Sequence, residues 1–390
     1  MTTGYLTDER RMIRDAARRF SMSEVLPLAN RLDPEQGDMP ADLLKKMADL
    51  GYFGITIAEE YGGLGLGCFE YCLVAEELSR AWMSVASVIA RGNTFMGSEL
   101  LSPEQKRDVM PRVARGEYLG ALALSEPNTG SDLANISCRG RKVDGGWAIT
   151  GSKYWCTFAD GADYIYVLVR TAEFINPARK HEGISAFMLD KPRGELPAGV
   201  RGSPIPKIGY FGWKTWELAF DECRVPATAL IGEEGKAFAA FSRGLETYRA
   251  HTAARAIGLA RGALEDAIAY AGQREQFGRP IAQFQAIRFK IATMATEIEA
   301  ARQLMYHVCT EIDSGRRCDA EAAMAKLFAS EMAERVCSEA LQIFGGAGYT
   351  KLHAVERYWR DARLTKIFEG TSEIQQRIIS DRLLGRVASA

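Results

Sequence analysis

A change of periodicity, from helical to strand-like and back, constrains this chain more than any other feature. Ahead of about Tyr118, apolar residues recur at three- and four-residue spacing over Asp42 to Leu50, Tyr71 to Arg80 and Glu104 to Arg115, which predicts amphipathic helices. A glycine-rich stretch, Tyr61 to Gly67, separates the first two. From there to about Glu233 the chain breaks into short runs rich in β-branched and aromatic residues: Ala121–Leu124, Trp147–Thr150, Tyr164–Val169, Ile184–Leu189 and Trp216–Phe220. Gly, Asp, Asn and Pro punctuate them, as strands and turns require. Asn176 to Gly183 and Lys191 to Gly202 read as surface excursions. Beyond Glu233 the helical pattern returns. Ile287, Ile291, Met294, Ile298, Ala301, Met305 and Val308 step alternately by four and three, the seam of a long helix in a bundle. That stripe is core and carries no chemistry. At 390 residues the chain is longer than one hydrophobic core usually serves. An α+β protein of three parts is expected: a helical domain over 1–116, a β domain over 117–232 and a helical bundle over 233–390.

Composition narrows the partners. A formal net charge of -1 predicts neither nucleic acid nor an anionic membrane surface as partner. No run approaches the length of a membrane-spanning helix, and the first twenty residues mix acids with bases and lack the apolar stretch of a secretory signal. Cytoplasmic residence is the expectation. The eight cysteines are scattered without a C-x-x-C pair, as suits reduced thiols. The four histidines form no H-E-x-x-H, and no metal is expected. No G-x-G-x-x-G follows a strand, the glycines of Gly62–Gly67 do not fit that spacing, and Gly151-Ser152-Lys153 has the wrong order for a P-loop. A G-x-S-x-G elbow is also missing. A nucleotide cofactor, if used, is not held in any of these cradles.

Five segments resemble the acyl-CoA dehydrogenase family: Ala123–Asp132 (ALSEPNTGSD), Gly151–Thr157 (GSKYWCT), Arg274–Gln285 (REQFGRPIAQFQ), Gln342–Thr350 (QIFGGAGYT) and Arg360–Gln375 (RDARLTKIFEGTSEIQ). Each alone is weak; five in this order are specific. The resemblance implies the family's fold, an N-terminal helical domain, a central β domain and a C-terminal four-helix-bundle domain. It also implies FAD. Leu122, Leu124, Ser125, Trp155 and Thr157 match positions around the flavin ring, where amides and a hydroxyl bond its polar edge and an indole covers its face. Arg274, Gln276, Phe277 and Gln285, with Gln342, Gly345 and Gly346, match the adenine and pyrophosphate end, reached across a subunit contact. A homotetramer, or at least a dimer, follows from the same resemblance. Thr371 and Glu373 match further cofactor positions.

Glu369, in Phe368-Glu369-Gly370-Thr371, matches the family's catalytic base. Removing a weakly acidic α-proton beside a thioester needs a carboxylate within hydrogen-bonding reach. The resemblance implies that the β-hydrogen then leaves as hydride to flavin N5, with the thioester oxygen polarised in an oxyanion hole and Gly370 permitting close approach. Some branches place the base instead within Gly244–His251; the matching residue here is Tyr248, which is no carboxylate. Arg249 matches a substrate-side arginine, Glu246 a contact to the CoA portion, and Ser131 a hydroxyl on the pantetheine arm. Electron-transfer flavoprotein is the implied electron acceptor.

Arg91 departs from the pattern. A lone arginine in the apolar stretch Met83–Gly97 is costly without an anionic partner, and its planar fork suits a carboxylate. It predicts a second carboxylate on the acyl group, as in 2-substituted succinyl-CoA or glutaryl-CoA, against the bland alternative of an exposed or protein-paired arginine. His251 and Thr252 are polar where simple fatty-acyl enzymes are apolar, and favour a polar or short substrate. Phe211 and Trp213 replace residues usual in the family and pack a loop or shape a cavity. The rival readings are an acyl-CoA oxidase, a simple short- or branched-chain acyl-CoA dehydrogenase, a desulfinase or nitroalkane-oxidising relative, and a flavin-free scaffold.

Overall fold

Thr7 starts the first helix, its hydroxyl accepting the Arg10 backbone N–H at 3.2 Å. Asp8 and Glu9 then face the helix N-terminus and Arg18 and Arg19 its C-terminus, complementing the dipole at both ends. In the computed structural model, which describes residues 4–94, 98–173, 179–238 and 244–385, this helix (α1, Asp8–Phe20) runs through one π-helical turn into α2 (Leu26–Leu32). It is followed by α3 (Ala41–Asp49), α4 (Cys68–Ala81), α5 (Met83–Val88), α6 (Ala90–Asn93) and α7 (Pro103–Ala114). Every residue of α4 is buried. Its free N-terminal amides are met by a distant acid: Asp313 accepts from Cys68 N at 2.6 Å and Phe69 N at 3.0 Å.

The β domain is one sheet of β1 (Gly120–Ala123), β2 (Arg139–Val143), β3 (Gly146–Thr157), β4 (Tyr164–Arg170), β5 (Ile184–Asp190), β6 (Val200–Pro204), β7 (Thr215–Pro226) and β8 (Leu230–Ile231). The order is β6-β7-β3-β2-β4-β5-β8, with β1 parallel to β4. β4 is buried along its whole length, which is why its text is continuously apolar. Three strands of the sheet, β2, β6 and the two-residue β8, were not legible. β2, RGRKV, and β6, VRGSP, are mostly exposed, so neither shows the apolar alternation that marks a half-buried strand. The expected excursion at Lys191–Gly202 is therefore corrected: it ends in the edge strand β6, and Lys191 is buried, donating to the carbonyls of Asp160, Ala162 and Pro192. Of the excursion at Asn176–Gly183, residues 176–178 lie outside the described residues.

The chain then returns to helices: α8 (Leu245–Gln273), α9 (Gln285–Asp313), α10 (Asp319–Phe344), α11 (Val355–Thr365) and α12 (Ser372–Leu384), with a small hairpin of β9 (Glu275–Gln276) and β10 (Arg279–Pro280) between the first two. On the α9 seam Met294, Ile298, Ala301, Met305 and Val308 are buried, while Ile287 and Ile291 near its start are partly so. α4 packs into this second helical set through small residues and charges. A Cβ on Gly258 of α8 would stand 2.3 Å from the Glu76 carbonyl oxygen; only glycine lets the two backbones approach so closely. Around that crossing Glu77 meets Arg261 at 2.6 Å, Glu76 meets Arg302 at 3.0 Å, and Arg80 meets Glu265 at 2.9 Å and Asp266 at 2.8 Å. The cysteines, scattered in sequence, are partly gathered by this packing. Cys68 lies 3.9 Å from both Cys72 and Cys309 in the core. Burial pushes the Cys309 thiol well above its ordinary range, which favours a packed thiol over a thiolate ligand.

Candidate active site

The first wall of the site is made by β1 and β3. Buried Lys153 pairs with Glu126 at 2.9 Å and donates to the Leu124 carbonyl at 2.9 Å. Glu126 in turn accepts from Ser137 and Cys138 amides. This clamp, with Tyr154 N–H donating to Ser125 O at 2.8 Å, ties the Leu122–Ser125 segment to the end of β3. There the register against β7 shifts between Lys153 and Cys156, and Trp155 takes φ +65°. The bulge turns its indole out of the sheet, leaving Trp155 57% exposed. A large aromatic held exposed by a backbone conformation that favours glycine points to a ligand surface. Leu122, Leu124, Ser125 and Thr157 are half-buried beside it, and Thr157 bonds Thr215 side chain to side chain at 3.0 Å.

Glu369 stands in the turn between α11 and α12, also left-handed at φ +54° and followed by Gly370 at φ +88°. Three devices hold the turn. Buried Lys326 of α10 donates to the Gly370 carbonyl at 2.6 Å, as does Gln375 at 2.9 Å, and the Thr371 hydroxyl caps α12 by accepting Ile374 N–H. Burial pulls the Lys326 amine down to about 8, with the Glu369 charge opposing. The Glu369 carboxylate itself is met from α8: Oε2 accepts from Arg255 Nη2 and from the Thr252 hydroxyl, both at 2.5 Å. Arg255 is buried, and although burial pulls its guanidinium down, the charge of Glu369 leads the opposing effects and leaves it above its ordinary value.

Arg91 lies beside the end of β3. Its Nη2 reaches the Thr157 carbonyl at 3.4 Å and its guanidinium lies 5.4 Å from the Trp213 ring. Its buried Nε has no hydrogen-bond partner among the described residues, nor does any carboxylate there pair with it. The undescribed segments contain no Asp or Glu. Tyr210 and Tyr248 each feel the charge of both Arg91 and Glu369, which sets the two around one space. Lys207 pins the loop that carries Tyr210 and Trp213 by donating to their carbonyls at 2.9 and 3.0 Å. Trp213 is buried against Tyr210 and Phe158, and Phe211 lies under Arg360, so both pack the loop.

The other expected residues form two further groups. Glu246 pairs with Arg317 at 2.8 Å and Arg249 with Asp319 at 3.6 Å, a charged patch where α8 and α10 begin; neither touches Glu369. Ser131 is exposed in the loop after β1. Arg274, Gln276, Phe277 and Gln285 lie exposed around the β9–β10 hairpin, and Gln342, Gly345 and Gly346 are exposed at the end of α10. Tyr270 stacks on Phe344 at 4.1 Å and so brings these last two sets side by side. Glu373 is exposed on the first turn of α12. His251 is corrected: it faces the helix packing, stacked on Tyr71 at 4.5 Å with Nε2 3.0 Å from Ala86 O, because its side of α8 meets α4. Burial pulls it well below its ordinary range, leaving a neutral core imidazole.

Sequence reasoning missed Arg255, Lys326 and the Glu126–Lys153 pair. A signal for Arg255 existed: it is a lone cation in Ala253-Ala254-Arg255-Ala256-Ile257, the same anomaly that singled out Arg91.

Three family models match consecutive parts of the chain: acyl-CoA dehydrogenase N-terminal domain over 7–117, middle domain over 121–223 and C-terminal domain over 235–384. An acyl-CoA dehydrogenase of Bacillus subtilis is 41% identical, over 98% of this chain and 99% of its own length. The benzylmalonyl-CoA dehydrogenase of Aromatoleum aromaticum is 40% identical, over 96% and 98%. The solved butyryl-CoA dehydrogenase of Megasphaera elsdenii superposes with a TM-score of 0.90 at 34% identity, over 98% of this chain and all of that one.

Proposed function

Because the chain belongs to the acyl-CoA dehydrogenase family, we propose that Glu369 is the base that opens its reaction. The protein is an FAD-dependent oxidoreductase acting on the CH–CH bond of an acyl-CoA thioester. FAD, when bound, supplies the two-electron acceptor for the β-hydrogen. The chain's own residues do the rest. The Glu369 carboxylate takes the α-proton, and the electron pair left on the α-carbon is conjugated with the thioester carbonyl. The Trp155 indole, Leu122, Leu124, Ser125 and Thr157 form the surface that would hold the flavin ring, and their exposure at a bulge fits that role. Arg274, Gln276, Phe277, Gln285, Gln342, Gly345 and Gly346, exposed on this chain, would reach the distal end of the cofactor, with Thr371 and Glu373 beside the base. Glu246, Arg249 and Ser131 would meet the CoA portion, and Gly370 the thioester.

The single observation that carries the reading is a carboxylate held in a left-handed turn by Lys326, Arg255 and Thr252. Arg91 refines it. A guanidinium without a protein carboxylate supports an acyl group that bears a second carboxylate. The similarity to the benzylmalonyl-CoA enzyme supports the same reading. Electron-transfer flavoprotein as acceptor, a homotetramer and cytoplasmic residence complete the proposal; no described helix is long and apolar enough to cross a membrane.

The test is anaerobic bleaching of the flavin band by a panel of mono- and dicarboxylic acyl-CoA thioesters. Bleaching by dicarboxylic thioesters, lost by on the order of a hundredfold in Arg91→Gln and abolished in Glu369→Gln, is the expected result. Undiminished bleaching of Arg91→Gln by dicarboxylic thioesters, or bleaching of the wild type by butyryl-CoA as readily as by them, would discard the second carboxylate and keep the dehydrogenase. Full activity of Glu369→Gln would remove the base.

A further inference from the structure

We propose that Arg255 is the positioning residue of the proton-abstracting carboxylate, holding one oxygen of Glu369 so that the other is presented to the substrate. The proposal rests on the reading of Glu369 as the base. Arg255 stands on α8 one turn beyond Thr252 and is 1% exposed. Burying a guanidinium is tolerable only when its donors are met, and here they are. Nη1 donates to the Ser87 hydroxyl of α5 at 2.8 Å, Nη2 to the Thr252 hydroxyl at 3.1 Å and to Glu369 Oε2 at 2.5 Å. The plane lies 4.8 Å from the Phe368 ring. One side chain thus joins α5, α8 and the turn that carries the base.

The two oxygens of Glu369 are treated differently. Oε2 takes both donors, and Oε1 receives no hydrogen bond among the described residues. The other bonds that hold the turn, Lys326 and Gln375 on the Gly370 carbonyl and the Thr371 cap, do not touch the carboxylate, and that leaves its own torsions open. Arg255 and Thr252 close them. In the proton transfer the substrate α-carbon loses its proton to Oε1, an O–H bond forms there, and the C–H electron pair stays on the α-carbon. Oε2 remains on Arg255 throughout, so the base does not reorient.

The other titratable groups facing Glu369 are Tyr248 on α8, Lys326 on α10, Tyr71 on α4 and Tyr210 on the β6–β7 loop. Glu331 and Glu373 face Lys326, and Arg91 faces the same two tyrosines as Glu369. Lys326 is itself engaged with the Gly370 carbonyl, not with the carboxylate.

The experiment compares Arg255→Gln, Arg255→Lys, Thr252→Val and Glu369→Gln as FAD-loaded enzymes. Three readouts are taken: exchange of the thioester α-hydrogen in D2O, the KM and kcat of anaerobic flavin reduction taken separately, and thermal unfolding. Arg255→Gln is expected to slow α-hydrogen exchange on the order of a hundredfold, with the thioester still bound. Arg255→Lys should recover part of the loss, and Thr252→Val should lose roughly tenfold or less. If Arg255→Gln does not fold, the lysine and valine variants carry the test by the same exchange rates. Exchange unchanged in every Arg255 and Thr252 variant that folds, while Glu369→Gln is inactive, would overturn the proposal and leave the base standing. Exchange retained in Glu369→Gln would instead overturn the base.

Discussion

Asp361 shows how a single residue couples the site to pH. It is fully buried, with one oxygen accepting the Tyr210 N–H at 2.6 Å and the other, like one oxygen of buried Asp33, without a hydrogen-bond partner among the described residues. Burial first, then the nearby Asp33 charge, pushes the Asp361 carboxyl up to about 7. Its unfolded value is about 3.9. Between those values the folded protein binds more protons than the unfolded chain, so this group's contribution to stability falls as pH rises through that window. Asp361→Asn keeps an acceptor for Tyr210 N–H and removes the titration. Its stability relative to the wild type should therefore be higher at pH 8 than at pH 5. Denaturation at both pH values checks this, and an identical difference at the two would refute it.

Among the elements, α4 and α8 show what close packing demands. The Gly258 contact with the Glu76 carbonyl leaves no room for a side chain. Gly258→Val should force the helices apart and destabilise the fold by roughly 1–3 kcal/mol or more, read as a lower denaturation midpoint with the flavin site still formed in the surviving native state. The same pair marks the boundary of what the sequence could tell. Elements whose burial is periodic were legible: the α9 seam from Met294 to Val308, the apolar β4, the helices at Ala41–Asp49 and Pro103–Ala114. β2 and β6 were not, because exposed strands lack that alternation. In the site, Glu369 and Trp155 could be named from their motifs. What holds Glu369 could not, since Arg255 lies 114 residues from Glu369 and Lys326 44 from Gly370 in sequence and contacts of that separation leave no local pattern. Trp155's exposure depends on a bulge, a backbone event that no residue type announces.

At the scale of the whole molecule, the outer face of α9 to α12 carries large apolar side chains in the open. Phe289, Tyr349, Leu352, Trp359 and Ile367 are all exposed, and Phe277 at the hairpin tip is 93% exposed. Scattered exposed apolars are normal, but a set this dense marks an interaction surface. It lies beside the residues proposed to reach a shared cofactor, which fits association of like chains. Native mass measurement should give a species of four chains, and Phe289→Glu with Trp359→Glu should shift it toward smaller species with loss of FAD. A wild-type protein that remains monomeric while retaining FAD would remove both the tetramer and the shared cofactor.

The charges of α4 have a consequence for how such a chain can be recombined. Beyond a longer contact of Glu77 with Arg18 of α1, Glu76, Glu77 and Arg80 find their counter-ions in Arg261, Glu265, Asp266 and Arg302, on the far side of the β domain in sequence. The two helical stretches are thus a single body with the sheet spliced into it. A chimera that took residues 7–117 from one parent and 235–384 from another would bring together unmatched halves of one buried ionic lattice. A graft of the middle stretch would leave that lattice whole, so crossovers should be tolerated in pairs, one on each side of the sheet, and rejected singly.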